Sequence, residues 1–462
     1  MIQTDKTDIF EKIPVPRAVM TMAIPTIIGQ LIVLFYNMAD TFFVGQTNNP
    51  AMVAGASLIL PVFNVSIALA GFTGVGGGAL VSRLLGQNQW QEAKKVSSFS
   101  ARLSILIAAL FSLLTFFFMD FLLGFLGAGE ATWQYAKAYA FCVIVLGAVP
   151  TVVSGTLSNL LRSVGESKKA GIGITMGGLI NVALDPLFMF VLLPEGNEIV
   201  GAGIATFLSN CIACIYFWIV IRRMGRESVL AGCAFIKTGN TLPSKESFRG
   251  IFAVGIPAAV ATLLFDLDYM VIGRLMSAYG EIQMAAIGIV LKVERLPLNI
   301  GIGICQGMMP LVAYNYSAGN HKRMKQTVSF SRNLGIGCAA VSVLLYELFS
   351  PFIMRIFIGD GATVALGTQF LRIRCLATPF MFLSFFIVHL FNGFGEGENA
   401  LLLGIVRWLV LNIPMLYLLN YLVGMYGIVW TQVTADVINV IFSFWIYGRW
   451  IKRNLPKGGQ HV

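Results

Sequence analysis

Charge is what this sequence has least of. Only 12% of its 462 residues are Asp, Glu, Lys or Arg, while 57% are hydrophobic. Soluble globular domains carry about 25% charged residues, so the shortage excludes that class and points to an integral membrane chain. Strict alternation of apolar and polar residues is also missing. In its place stand uncharged runs of roughly 20 residues, each long enough to cross ~30 Å of hydrocarbon at about 1.5 Å per residue. Continuous apolarity predicts helices and excludes an outer-membrane barrel. No nucleophile, base and oxyanion arrangement, metalloprotease helix or nucleotide motif is present, which excludes an enzyme and a built-in ATP motor. The runs Gly74-Val75-Gly76-Gly77-Gly78 and Gly301-Ile302-Gly303 follow no strand and lack a P-loop lysine, so they predict close helix packing. The seven cysteines are scattered. Cys211 and Cys214 share an apolar helix without a second pair or a nearby histidine, and read as small packing residues rather than a zinc or redox site. Met1 to Pro16 is polar and mixed in charge, so no cleavable signal peptide is expected and the first apolar run serves as its own insertion signal.

What is there is an all-α membrane protein of about twelve transmembrane helices. The spans are expected at about 17–45, 51–82, 100–123, 132–158, 168–193, 200–222, 248–276, 283–312, 327–350, 364–390, 398–420 and 424–449. The net charge of +10 sits in short segments between spans and builds no stripe for nucleic acid. Basic residues follow span 2 (Arg83, Lys94, Lys95, Arg102), span 4 (Arg162, Lys168, Lys169), span 6 (Arg222, Arg223, Arg226) and span 8 (Lys322, Arg323, Lys325), and close the chain (Arg449, Lys452, Arg453, Lys457). Those segments should be cytoplasmic, with both termini inside. The connection after span 10, Asn392 to Asn399, departs from the pattern in being acidic.

Two halves resemble one another. Ile24-Pro25 answers Ile256-Pro257, Ala39-Asp40 answers Leu267-Asp268, Ser98-Phe99-Ser100 is repeated at Ser329-Phe330-Ser331, and Gly165-Glu166 at Gly395-Glu396. Two pseudo-symmetric six-helix lobes follow, residues 1–226 and 248–462, joined by a cytoplasmic linker at 227–247. With an even number of spans each, the copies share an orientation, and a substrate site between them is exposed to alternate sides as they rock.

Ionisable groups inside hydrocarbon are costly and mark function. In the first half the candidates are Asp40 on span 1, Asn159 near the end of span 4, Asn181 and Asp185 on span 5, and Thr206 on span 6. Asn181 and Asp185 are four residues apart and share one helical face. Such an oxygen-rich set suits a hard cation such as sodium, and also suits proton exchange. Pro25 and Pro186 remove backbone donors inside their helices and permit bends there. The second half carries Asp266 and Asp268 on span 7, and Lys292, Glu294 and Arg295 on span 8, where a Lys292–Glu294 pair competes with a ligand-binding role. Arg372, Arg374 and Arg407 also lie in spans, Arg407 in reach of the cytoplasmic edge by snorkelling. His389 reads as a packing residue.

Taken together, Asn-Met-Ala-Asp-Thr-Phe-Phe-Val-Gly ending at Gly45, Leu84-Leu85-Gly86, Leu-Arg-Ser-Val-Gly-Glu ending at Glu166 and Asn-Val-Ala-Leu-Asp-Pro ending at Pro186 resemble the multidrug and toxic compound extrusion (MATE) family. Pro310 to Tyr316, followed by Arg323-Met324-Lys325, is similar to its bacterial multidrug branch. The resemblance covers essentially the whole chain. It implies a V-shaped pair of lobes in the cytoplasmic membrane of a bacterium, exporting cationic or amphipathic drugs in exchange for sodium or protons, with no covalent cofactor and no obligatory protein partner. It also implies that Asp40, Asn181, Asp185 and Thr206 form the coupling-cation site, and the metal site if the ion is sodium, with Asn159 in the adjoining network. Asp266 lies near the acidic residue that some members use in the second lobe. The chain departs from the family in having Asp268, Lys292 and Glu294 close by, which leaves open which lobe couples. A drug cavity rich in Phe and Met is expected, since both adapt to varied apolar shapes. The competing reading is a flippase for lipid-linked precursors, which would need several unpaired cavity arginines or lysines. Arg295, Arg372 and Arg374 keep it open. A passive channel would need a filter, and none is evident.

Overall fold

The computed structural model describes residues 4–47, 49–194, 196–234 and 242–455. Among these the secondary structure is helical, with no strand. Ten helices are long and apolar enough to cross a membrane, and two bent pairs raise the number to twelve. In chain order the spans are Val15–Gly45 (span 1), Pro50–Gly86 (span 2), Trp90–Phe117 (span 3), Glu130–Leu146 with Ala148–Ser163 (span 4), Ser167–Leu192 (span 5), Glu198–Arg223 (span 6), Lys245–Ser277 (span 7), Glu281–Ser317 (span 8), His321–Phe357 (span 9), Gly361–Cys375 with Thr378–Phe394 (span 10), Gly397–Val423 (span 11) and Met425–Asn454 (span 12).

Local chemistry sets several boundaries. Asn49 caps span 2, its side chain accepting from the amides of Ala51 and Met52, with Pro50 in the first turn where its missing amide costs nothing. Ser244 caps span 7 and Asn320 caps span 9 in the same way. Asp360 caps span 10, accepting from the amide and hydroxyl of Thr363 at 2.8 and 2.7 Å, and these bonds hold its carboxyl below the usual carboxylate range. Spans 3 and 9 begin earlier than expected, at Trp90 and His321, because hydropathy reports the membrane crossing and not the polar helical turns that precede it. Of the connecting segment expected at 227–247, residues 235–241 lie outside the described residues. The part before them packs back on span 3, with Ser97 bonded to the Val229 carbonyl at 2.7 Å and Lys94 to that of Arg226.

Spans 4 and 10 are each broken into two segments, bent by 46° beside Gly147 and by 45° at Leu376 and Ala377. Each break has a proline in the first turn of its second segment, Pro150 and Pro379, where the helix has already lost its amide partners. Pro25 lies inside an unbroken helix and faces Gly171. A Cβ at Gly171 would stand 2.5 Å from the Pro25 carbonyl oxygen, so this pair is a close contact of spans 1 and 5. Pro186 is followed by a π-helical turn, Phe188–Leu192.

The two halves meet along spans 1 and 2 of the first and spans 7 and 8 of the second. One apolar core joins Leu80, Leu84 and Leu160 to Ile251, Leu311 and Tyr314, towards the ends that carry the basic connections. Two glycines let the backbones touch there. At Gly76 a Cβ would run into the Ile251 carbonyl and stand 2.9 Å from the Gly255 Cα, and at Gly307 one would stand 2.7 Å from the Ala23 Cα. The short helix Thr4–Glu11 and the turn after it add a tie. Arg323 donates to the carbonyls of Phe10 and Ile13, and Phe10 stacks on Tyr314 with centroids 4.7 Å apart. Outward, Phe117, Phe121 and Leu348 are exposed as a lipid-facing surface requires.

Overpacking a tight contact costs about 1–3 kcal/mol. Gly76→Ala is therefore expected to loosen the seal between the halves. In a cysteine-free background, Val75→Cys should be labelled faster by an impermeant thiol reagent from the side of the basic connections when Gly76→Ala is present.

Candidate functional site

Spans 1, 4, 5 and 6 bring five polar side chains of the first half together: Asp40, Tyr139, Asn181, Asp185 and Thr206. The Asn181 carboxamide donates to Asp185 Oδ1 and to Thr206 Oγ1, both at 3.3 Å, and Tyr139 donates to Asp40 Oδ2 at 3.4 Å. Asp185 is fully buried and Asn181 and Thr206 nearly so. Tyr36 and Tyr139 stand within electrostatic range of both carboxylates. Three oxygens of this cluster are buried with no donor among the described residues: Asp40 Oδ1, Asn181 Oδ1 and Asp185 Oδ2. Unsatisfied acceptors converging without a counter-ion are what a hard cation or a proton would complete. Among the described residues no group of three His, Cys, Asp or Glu forms a metal cluster, and two carboxylates with neutral oxygens suit an ion that must leave again.

Beside this cluster lies a cavity of about 420 Å³ between the halves, in the range of drug-sized sites. Asn181, Thr206 and Asn159 line its first-half wall, and Phe265, Phe385, Arg407 and Trp408 line the other. Gln30 of span 1 donates to Gln306 of span 8 at 3.0 Å across it. Aromatic residues are present as expected, but methionine is not. Met22, Met276, Met308 and Met354 are spent in packing between helices instead. Asn159 bonds the Gly155 carbonyl at 2.9 Å and accepts from Arg162 at 3.1 Å, making it a neighbour of the cluster's cavity wall rather than a ligand beside Asp185.

A family model named MatE matches residues 25–187 and again 257–418. The chain belongs to the MatE family. The double match falls once in each half, as the internal repeat requires. Among its relatives are the Multidrug export protein MepA of Staphylococcus saprophyticus subsp. saprophyticus, 29% identical over 93% of this chain and 92% of that one, and MepA of Staphylococcus aureus strain NCTC 8325, 30% identical over 92% of each. The fold matches an outward-facing multidrug resistance MATE family transporter of the MOP superfamily with a TM-score of 0.89 at 22% identity, covering 98% of this chain and 99% of that one. A MATE structure in complex with MaD3S also gives 0.89, at 23% identity, covering 97% and 98%.

In this MatE chain the second half is built differently from the first. Glu294 does not pair with Lys292. It receives Arg374 in a two-pronged bridge, Nε to Oε2 at 2.6 Å and Nη2 to Oε1 at 2.8 Å, and Tyr269 donates to it at 2.7 Å. Lys292 is exposed, because residues two apart on a helix point to different sides. Arg407 does not snorkel. It is 4% exposed and bridges Asp436 at 2.8 and 3.2 Å, with Gln432 bonded to the same carboxylate. Asp268 is fully buried with both carboxylate oxygens unbonded, while Asp266 is half-buried beside Arg295, whose guanidinium lies over Phe265 and Tyr269 at 5.7 and 4.8 Å. Arg372 lies 3.8 Å from Glu347. Asp436 and Gln432 escaped the sequence reading, although their four-residue spacing on span 12 repeats the signal of Asn181 and Asp185. His389 bonds the Phe385 carbonyl at 2.8 Å and lines the cavity, rather than being enclosed between helices. Among these arginines, Arg374 and Arg407 are neutralised, which removes the several free cations that a pyrophosphate carrier needs.

Proposed function

We propose that the chain is a secondary active multidrug exporter of a bacterial cytoplasmic membrane, with both termini cytoplasmic. It extrudes bulky amphipathic and cationic compounds by alternating access in exchange for sodium or protons. The observation that carries this reading is the cluster of unsatisfied oxygens on Asp40, Asn181 and Asp185 beside a drug-sized cavity between the halves. The names of the MepA relatives support export of drugs. Residues 1–226 and 248–462 act as the rocking bodies, linked through 227–247, and the first half carries coupling. Among the described residues its carboxylates Asp40 and Asp185 have no cationic partner, whereas Glu294 and Asp436 in the second half are each held by an arginine. A coupling ion entering the second half would have to compete with these fixed guanidinium groups. Asp268 and Asp266 then serve the interior electrostatics of that half rather than the ion.

The test is dye efflux from proteoliposomes under a sodium gradient and then a proton gradient. Efflux that follows one of the two supports the exporter and names its ion. Movement of small neutral solutes alone, or flux indifferent to both gradients, would exclude it.

A further inference from the structure

Among the described residues one arginine lines the cavity without a counter-ion. Arg162 is expected from sequence in a cytoplasmic connection, yet span 4 continues to Ser163 and leaves Arg162 only 4% exposed on the cavity wall. Its one hydrogen bond among the described residues runs from Nη1 to Asn159 Oδ1 at 3.1 Å, and its Nε is buried with no acceptor. The other two buried arginines, Arg374 and Arg407, each clasp a carboxylate. A buried guanidinium with neither carboxylate nor full hydrogen bonding is costly, and here the open positions border a ligand cavity.

Its surroundings extend the pattern. Ser158, one turn earlier on span 4, lines the same cavity and its hydroxyl is buried without a partner. Across the cavity the repeat of Leu161-Arg162-Ser163-Val164-Gly165-Glu166 is Phe391-Asn392-Gly393-Phe394-Gly395-Glu396, which puts Asn392 in the position of Arg162. Asn392 also lines the cavity and its Oδ1 is buried with no donor. The first wall thus offers donors and a positive charge, and the second offers an unused acceptor.

We infer that Arg162 is the anion subsite of the cavity and takes the carboxylate of zwitterionic amphiphiles. Ser158 donates to the same carboxylate, and the ligand's cationic group lies towards Asn392 Oδ1. The inference rests on the exporter reading and narrows its substrate class, since a purely cationic ligand leaves Arg162 unsatisfied and faces its repulsion. The planar guanidinium suits a carboxylate in a way that an ammonium does not.

The test compares rhodamine B, which carries both a cationic ring system and a carboxylate, with its ethyl ester, a cation of nearly the same shape. Both are measured in proteoliposomes under the driving gradient, and by fluorescence anisotropy for binding to the purified protein. Arg162→Gln is expected to lower rhodamine B transport at least about tenfold, the loss of a charge-assisted hydrogen bond, and to raise that of the ester, which is freed of the guanidinium's repulsion. Arg162→Lys should recover part of the rhodamine B binding. Equal loss of both dyes, with unfolding at lower temperature, would make Arg162 a structural residue and overturn the inference. So would rhodamine B transport that Arg162→Gln leaves intact, or a wild-type protein that moves the ester but not rhodamine B. A wild-type protein that moves neither dye would instead bring down the exporter reading, and this inference with it.

Discussion

Asp185→Asn is expected to abolish cation-driven drug efflux while the helix bundle stays intact. The change is isosteric, so a carboxamide oxygen still accepts from Asn181, and the contacts of span 5 with spans 1 and 6 are kept. What is lost is a full negative charge at the one fully buried carboxylate of the cluster. A unit charge about 4 Å from a cation contributes about 4 kcal/mol at an effective dielectric of 20, which is roughly a thousandfold in affinity. A proton-driven carrier would fail as completely, because an amide takes up no proton at this position. Asp40→Asn should act in the same direction. Its Oδ1 is also without a donor, although Tyr139 supports its other oxygen. Efflux from proteoliposomes is the readout, with drug binding to the purified variant as the check on folding. Unchanged efflux by Asp185→Asn would remove the first-half site from the mechanism.

Arg374→Met should instead destabilise the protein by about 3–5 kcal/mol, since it strands Glu294 as an unpaired charge between helices. Arg374 is fully buried and holds Glu294 through two bonds, with Gln432 a further acceptor at 3.5 Å. The double variant Glu294→Leu with Arg374→Met removes both charges and should regain most of that stability, because a well-packed apolar pair often equals a buried bridge. Thermal unfolding of the purified protein measures this, and efflux by the double variant separates structure from coupling. Retained gradient dependence supports a structural second half. Loss of coupling in a stable double variant would move the ion site there.

Hydropathy and the internal repeat made the twelve spans and the pairing of halves legible before any coordinates. Asn181, Asp185 and Thr206 were legible for a related reason. Carboxylates in hydrocarbon are rare, and a four-residue spacing fixes which side chains share a face. The second half resisted the same reading because its decisive contacts are remote. Glu294 lies 80 residues from Arg374 and Arg407 lies 29 from Asp436, while the near neighbour Lys292 points elsewhere. Arg162 was hidden by a different cause. It sits where apolar sequence gives way to charge, so hydropathy assigned it to a connection although the helix carries it inside. The breaks in spans 4 and 10 escaped the reading because Pro150 and Pro379 sit in the first turn after each break, where a proline is ordinary at a helix start.

The central claim is exchange, a drug moving against an ion through the Asp185 site. Its most direct measurement is drug-driven ion counterflow. Proteoliposomes with no imposed ion gradient receive a drug gradient, and sodium and proton fluxes are recorded for wild type and Asp185→Asn. The account predicts that the drug gradient drives one of the two ions in the opposite direction in the wild type, and that Asp185→Asn shows no such flux. Drug movement in the wild type with no ion counterflow, or the same counterflow in Asp185→Asn, would contradict it.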